Sequence, residues 1–272
     1  MFQDMERVGT SVAVDLDGAR AVWFRMPATT QDPHRSTTHA NTIGVSFTGH
    51  RDAVVERPSG RRDRMEVRPN SLFVTCEEPF DWIHVAEPYE GVEFVISDRL
   101  NAEIADATGV ALDKAVGSFV LDPDPVFWAA SIRLRQHATG ARALGDLEGD
   151  ELLRAAMTHV ACEHYGGRPS RQNARPLDGR RLNRVVEHVD AHMGGRLSVS
   201  DLAASASMST SHFHEAFRRA TGLTPHEFVT ARRVEHARAL LASGWTREEA
   251  ASEVGYTAGH AFRRALQRFG GP

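Results

Sequence analysis

Between residues 8 and 97 the apolar positions come in short runs broken by Gly, Pro, Asp and Asn. The runs are VAVDL, AVWFRM, TIGVSFTG, DAVVE, MEV, SLFVT, FDWIHV and VEFVIS. Runs of this length at this spacing predict short strands, and so many in succession predict an all-β sandwich or barrel. In VRPNSLFV, Pro69 pre-sets φ for a turn and Asn70 stands where a type II turn requires positive φ. From 98 to 107 and from 124 to 165 the spacing becomes helical. Phe127, Ser131 and Leu134, then Leu152, Leu153, Ala156 and Val160, mark apolar stripes that predict a helical pair packed on the barrel or on a partner.

The segment GGRPSRQNARP, residues 166–176, holds almost nothing apolar and reads as a linker. Beyond it the pattern is helical nearly to the end. Leu182, Val185, Val186, Val189 and Met193 recur at the spacing of one helix face, and Gly194-Gly195 closes that helix. Three start signals of one kind follow: SVSD (198–201), TPHE (224–227) and TREE (246–249). In each, a Ser or Thr oxygen can take a free backbone N–H while an acid three residues on reaches back. TPHE adds a proline at the first helical position, where no N–H is missed.

This helical part repeats itself. LAASASMS (202–209) aligns with AASEVGYT (250–257) at an offset of 48, so that Ala203 matches Ala251, Ser207 matches Gly255 and Met208 matches Tyr256. With one extra residue in the second copy, Phe213 matches Phe262 and Ala216-Phe217 matches Ala265-Leu266. A small residue in one helix, a turn residue four later and an apolar i, i+4 pair in the next helix make a helix-turn-helix pattern. The small residue lets two helices cross closely, and the apolar pair anchors the second helix with its other face free for a major groove. One copy would describe many helical hairpins. Two copies joined by a helix from Thr224 to Ser243, about 30 Å long, match the repeat of B-DNA, which is about 34 Å.

Charge supports that division. The chain of 272 residues has a formal net charge of −4, but from Arg171 onward 15 arginines stand against 10 acids, a net of +5. The preceding residues hold 17 basic and 26 acidic side chains, a net of −9. A basic half beside an acidic one fits a polyanion partner for the first and a different task for the second. With 41% apolar and 25% charged residues the chain has material for two domains. Cys76 and Cys162 make neither a disulfide framework nor a metal spacing. The start MFQDMERVGT lacks an export signal, and no apolar run approaches a membrane span, so a cytoplasmic protein away from membranes is expected.

The stretch LSVSDLAASASMSTSHFHEAFRRATGLTPHEFVTARRVEHARALL, followed by VGYTAGHAFRRALQRFG, resembles the C-terminal domain of AraC/XylS-type transcriptional regulators. The resemblance covers about residues 177–270, and FRRATGLTPHEF is its most specific part. It implies seven helices with two helix-turn-helix units, regulation of bacterial transcription initiation, and often an N-terminal cupin-like domain for ligand sensing and dimerisation. The region around RPNSLFV is similar to that domain. The implied organisation is a mainly-β cupin-like barrel with following helices (1–165), the linker (166–176) and an all-α DNA-binding domain (177–272). Within the last, the first helix-turn-helix falls at about 199–220, the connecting helix at about 224–243 and the second unit at about 247–269. Implied partners are double-stranded DNA, RNA polymerase, a small-molecule effector and a second copy of the chain, with no cofactor.

By position, the first recognition helix (about 209–220) would present Thr210, Ser211, His214, Glu215 and Arg218, and the second (about 258–268) Ala258, Gly259, His260, Arg263, Arg264 and Gln267. Arg can fork onto guanine, Gln onto adenine, and Glu can accept from cytosine. Ser209, Thr224 and Thr257, at helix starts, would suit phosphate. Glu215 repels phosphate unless it meets a cytosine or pairs with Arg218 or Arg219. Three features depart from the resemblance. Ser207 stands where the first turn usually has Gly, at a cost of about 1 kcal/mol if the backbone is left-handed there. ALQRFGGP is one residue short, which puts the packing of Phe269 in doubt, and the usual short closing helix does not follow, so a looser second unit is expected.

A rival reading is a cupin-type enzyme or small-molecule binding protein whose helical part serves another interaction. Metal-dependent cupins use a His-x-His pair, a Glu and a later His, and the strand-rich half offers no such pair. His34, His39 and His50 stand in turn-like sequence. No nucleophile-turn motif is present either, so neither catalytic nor metal-ligating residues are expected. Trp23, Arg25, His39, Trp82 and His84 are the candidates for lining a pocket for an anionic or aromatic ligand.

Overall fold

The computed structural model describes residues 9–29, 42–75, 82–112, 122–168, 177–257 and 259–270. Two units emerge: Met1–Leu134 with Gly145–Gln172, and Arg135–Leu144 with Asn173–Pro272. The sequence shows no composition shift that would assign 135–144 to the second unit.

Each apolar run of the first unit contains a strand: β1 (Thr10–Leu16), β2 (Ala19–Met26), β3 (Thr42–Ser46), β4 (His50–Glu56), β5 (Arg62–Val67), β6 (Ser71–Thr75), β7 (Trp82–His84) and β8 (Tyr89–Ile96). They form two antiparallel sheets, β1-β2-β8-β3-β6 and β5-β4-β7. The turn before β6 is as expected, with Asn70 at φ 65° and the Ser71 amide donating to the Arg68 carbonyl at 3.1 Å. The larger sheet is covered on both faces, which is why β2 and β8 are apolar runs rather than clean alternations. On one face Phe94 meets Phe127 of α2 (Pro125–Ala138) edge-on at 5.4 Å. On the other, Phe24, Met26 and Tyr89 join Ala53, Val67 and Val85 in one core that ties the two sheets together. The expected β-rich unit with following helices is therefore present.

Two further helices complete this unit. α1 (Asp98–Thr108) is capped by the Ser97 hydroxyl and closed by Gly109 at φ 78°. α3 (Asp146–His164) carries Arg154, which pairs with Asp17 and with Glu103 of α1. Asp124 caps α2 by accepting the Phe127 amide at 2.8 Å, while its other oxygen meets His159 and His164, each at 2.8 Å. Burial alone would raise the Asp124 carboxyl, but the two imidazoles and the amide outweigh it and hold the group well below the usual range.

The second unit is all-α. α4 (Gly179–Ala191) starts on the Asp178 cap and buries Leu182, Val185 and Val189. It is followed by α5 (Val199–Ser205), α6 (Thr210–Thr221), α7 (Pro225–Ala242), α8 (Arg247–Glu253) and α9 (His260–Phe269). Six helices thus lie between 177 and 270 among the described residues, one fewer than the resemblance implies. All three start signals are reciprocal capping boxes: Ser198 with Asp201, Thr224 with Glu227, and Thr246 with Glu249. Each is worth about 1 kcal/mol by its helix cap.

Candidate nucleic-acid interface and effector cavity

The two repeats fold alike down to their turn hydrogen bonds. In α5–α6, Ser207 donates to Ala204 and Met208 to Ala203, both at 2.9 Å. In α8–α9, Gly255 donates to Ser252 at 3.0 Å and Tyr256 to Ala251 at 2.8 Å. Ser207 and Gly255 both take the left-handed conformation, φ 55° and 75°, so the serine carries the expected strain. Ala203 and Ala251 are buried where the helices cross, and Phe213 and Phe262 are fully buried as the anchors of α6 and α9. Phe217 meets Phe213 at a tilt and Phe228 of α7 edge-on, each at 5.2 Å.

Anchoring one face of each second helix leaves the opposite face to solvent. Ser209, Thr210, Ser211, His214, Glu215 and Arg218 are exposed at α6, and Thr257, Gly259, His260, Arg263, Arg264 and Gln267 at or before α9. Ala258 lies outside the described residues. Glu215 is paired with Arg219 at 2.7 Å, one turn along the exposed face. Arg218, Arg263 and Arg264 have no ion-pair partner among the described residues. The Ser209 hydroxyl caps nothing and is open to an anion, whereas the Thr224 hydroxyl is committed to Glu227. Thr257 falls two residues before the Gly259 cap of α9, so it is not at a helix start as expected.

The end of α9 is firmer than its shortened sequence implies. Phe269 is 2% exposed, and Val234 of α7 stands 3.4 Å from where a Cβ at Gly270 would lie. Arg268 lays its guanidinium over the Phe269 ring at 5.1 Å and pairs with Glu227 at 2.5 Å. Within the same unit the buried Arg135 donates to Glu235 at 2.5 Å and to the Phe269 carbonyl. These contacts supply what the missing residue would have been expected to provide. Arg268 is therefore an internal strut rather than a free cation.

The candidate ligand residues are not brought together. Trp23 is 2% exposed and donates its indole N–H to Glu90 at 3.0 Å, while Arg25 on the same strand is exposed. Trp82 and His84 stack on each other at 6.3 Å on β7, and His39 lies outside the described residues. A cavity open to solvent lies instead between the two sheets, lined among others by Phe24, His50, Met65, Phe73, Tyr89 and Glu93, and by none of the described candidates. Burial lowers the pKa of His50, against the opposing field of Glu87, and favours the neutral ring. Burial also pushes the Glu93 carboxyl up to about 7. Glu93 was missed because strand alternation places a lone acid between Val92 and Phe94 on a solvent face, and here the second sheet covers that face.

A family model described as a helix-turn-helix domain matches residues 202–271. The chain is 27% identical over 127 residues to a helix-turn-helix-type transcriptional regulator of Staphylococcus aureus, covering 46% of this chain and 17% of that one. It is 30% identical over 97 residues to the probable transcriptional regulator LumQ of Photobacterium leiognathi, covering 34% and 38%. The matched stretch thus spans less than two fifths of either relative. Among solved structures, ToxT of Vibrio cholerae aligns over 93% of this chain and 94% of its own at 12% identity, with a TM-score of 0.35. Residues 202–271 therefore form a helix-turn-helix domain, in keeping with the AraC-type resemblance. No helix among the described residues is long and apolar enough to cross a membrane.

Proposed function

We propose that this chain is a sequence-specific, DNA-binding transcriptional regulator of the AraC type. The observation that carries the reading is the pair of like-folded helix-turn-helix units, each with a buried aromatic anchor and a polar outer face. In this reading α6 and α9 enter successive major grooves, and α7, 18 residues and about 27 Å long by its rise per residue, spaces them. Arg263, Arg264 and Gln267 read bases from α9. Thr210, Ser211, His214 and Arg218 do so from α6, and Ser209 holds phosphate. Residues 1–165 sense an effector in the cavity between the sheets and pair two copies of the chain. RNA polymerase is the partner through which DNA binding acts, and the role is regulatory rather than catalytic.

Selection of duplexes from a random pool with the purified protein tests this directly. A two-part site with halves about one helical turn apart is expected, with affinity falling steeply as salt rises through counterion release. Recovery of no preferred sequence would refute the reading. The rival, a metal-dependent cupin-type protein, starts from Asp124, His159 and His164, whose ligand atoms lie within 4.8 Å of one another. Those atoms are already joined in hydrogen bonds, both imidazoles meeting the Asp124 oxygen that does not cap α2. A stoichiometric transition metal, lost on replacing His159 and His164, would favour the rival.

A further inference from the structure

One carboxyl, that of Glu93, lines the cavity between the sheets. Glu93 sits on β8 in a row that runs Val22, Glu93, Gly44, Phe73 across three neighbouring strand pairs. Gly44 has no side chain there, and a Cβ built on it would come within 2.2 Å of the Phe73 ring, so that ring lies over the glycine next to Glu93. The carboxyl opens into the cavity, and among the described residues nothing donates to it. Burial is the cause of its high pKa, with no hydrogen bond to offset it. Glu93 is half-buried, and a carboxyl in such apolar surroundings without a donor is costly.

The remaining lining sets the sign of what would relieve that cost. Among the described lining residues there is no lysine or arginine, and His50 is the only basic side chain. Burial favours the neutral form of that ring, and Thr48 lies 3.3 Å from its Nε2. The rest is apolar or aromatic: Phe24 and Tyr89 meet edge-on at 5.9 Å, with Met65, Phe73, Val55 and Ile83 around them. Aromatic faces beside a single carboxylate form the surroundings in which an ammonium is stabilised twice, by charge and by ring quadrupoles. Above its raised pKa the Glu93 carboxylate would repel an anionic ligand.

We infer that the effector of this protein is a hydrophobic amine, a mostly apolar molecule whose protonated nitrogen meets Glu93 while its body lies against Met65, Phe73 and Tyr89. This rests on the effector reading proposed above and specifies its chemical class. Binding turns a half-buried acid, without a donor among the described residues, into an ion pair inside the first unit. A neutral apolar molecule would fill the same space without changing the state of Glu93.

Three molecules of matched shape separate these cases: 4-phenylbutylamine, 4-phenylbutanol and 4-phenylbutyrate, titrated calorimetrically into the full chain at pH 8. The amine is expected to bind about 10-fold or more tighter than the alcohol, and the carboxylate to bind weakest. In Glu93→Gln the amine should fall to the level of the alcohol while the alcohol keeps its affinity. That variant removes a buried charge, so it should melt no lower than the parent. If the alcohol or the carboxylate binds best, or the amine preference survives Glu93→Gln, the amine assignment is wrong while the cavity remains an effector site. If none of the three binds, both the assignment and the effector reading of this cavity fail.

Discussion

The two helix-turn-helix units share one backbone plan and differ in how they meet charge. α6 carries Glu215 tied to Arg219, leaving Arg218 as its unpaired cation, and two histidines on its outer turns. α9 presents Arg263, Arg264 and Gln267 with no acid in the helix, and its third arginine is held by Glu227. The turns differ as well, Ser207 against Gly255, at equal hydrogen bonding. The frame is thus repeated where packing dictates it, and varied where side chains face outward. On this account α6 is the more selective reader and α9 supplies more of the binding energy.

The largest blow to the comparison comes from the anchors. Phe213→Ala and Phe262→Ala should each cost about 3–5 kcal/mol in denaturant unfolding. A much smaller loss in either would mean that its unit is not anchored as described. Next comes the reading face: Arg264→Ala should cost about 1–3 kcal/mol on the selected duplex and relax preference at one base pair. A loss uniform over all sequences would make Arg264 a phosphate contact. The turns come third. Gly255→Ala should destabilise by about 1–2 kcal/mol, since its Cβ would add left-handed strain and come 2.7 Å from the Gly194 carbonyl oxygen. Ser207→Gly should stabilise by up to about 1 kcal/mol. Melting shifts of opposite sign are therefore expected at two equivalent positions, and like signs would break the equivalence.

Glu227 ties the start of α7 to α9, receiving Thr224 of its own cap, Arg142 at 3.0 Å and Arg268 of α9. Burial would raise its carboxyl, but the Thr224 bonds and the two arginines outweigh it and hold it below the usual range. A depressed carboxylate contributes stability above its unfolded pKa and loses it as pH falls through the folded one. Glu227→Gln should thus cost about 1–2 kcal/mol at neutral pH and progressively less below the ordinary carboxylate range. A cost that stays constant down to strong acid would show that its charge is not what matters.

Much of this was readable from the residues alone, for physical reasons that differ by region. Helix starts were legible because a capping box is local: SVSD, TPHE and TREE each close within four residues. The positive φ of Asn70 and Ser207 was legible because a turn or a repeat fixes the backbone there. The repeat exposed both helix-turn-helix units, since anchors and crossing residues recur at nearly fixed spacing. The cavity was not legible, because its lining converges from seven strands whose facing depends on which sheet covers which side. Trp23 and Trp82 looked like pocket residues by type, yet one fills a covered sheet face and the other stacks on His84. The burial of Phe269 was hidden for a like reason, as Arg135, which donates to its carbonyl, comes from distant sequence.

The central claim is that the two units read DNA together, each its own half of one site. Base-by-base substitution of the selected duplex, measured for the parent, Arg218→Ala and Arg264→Ala, tests it most directly. The account predicts that Arg218→Ala relaxes preference in one half only and Arg264→Ala in the other, with the halves about one turn apart. Both variants relaxing the same half, or neither changing any base preference, would contradict it.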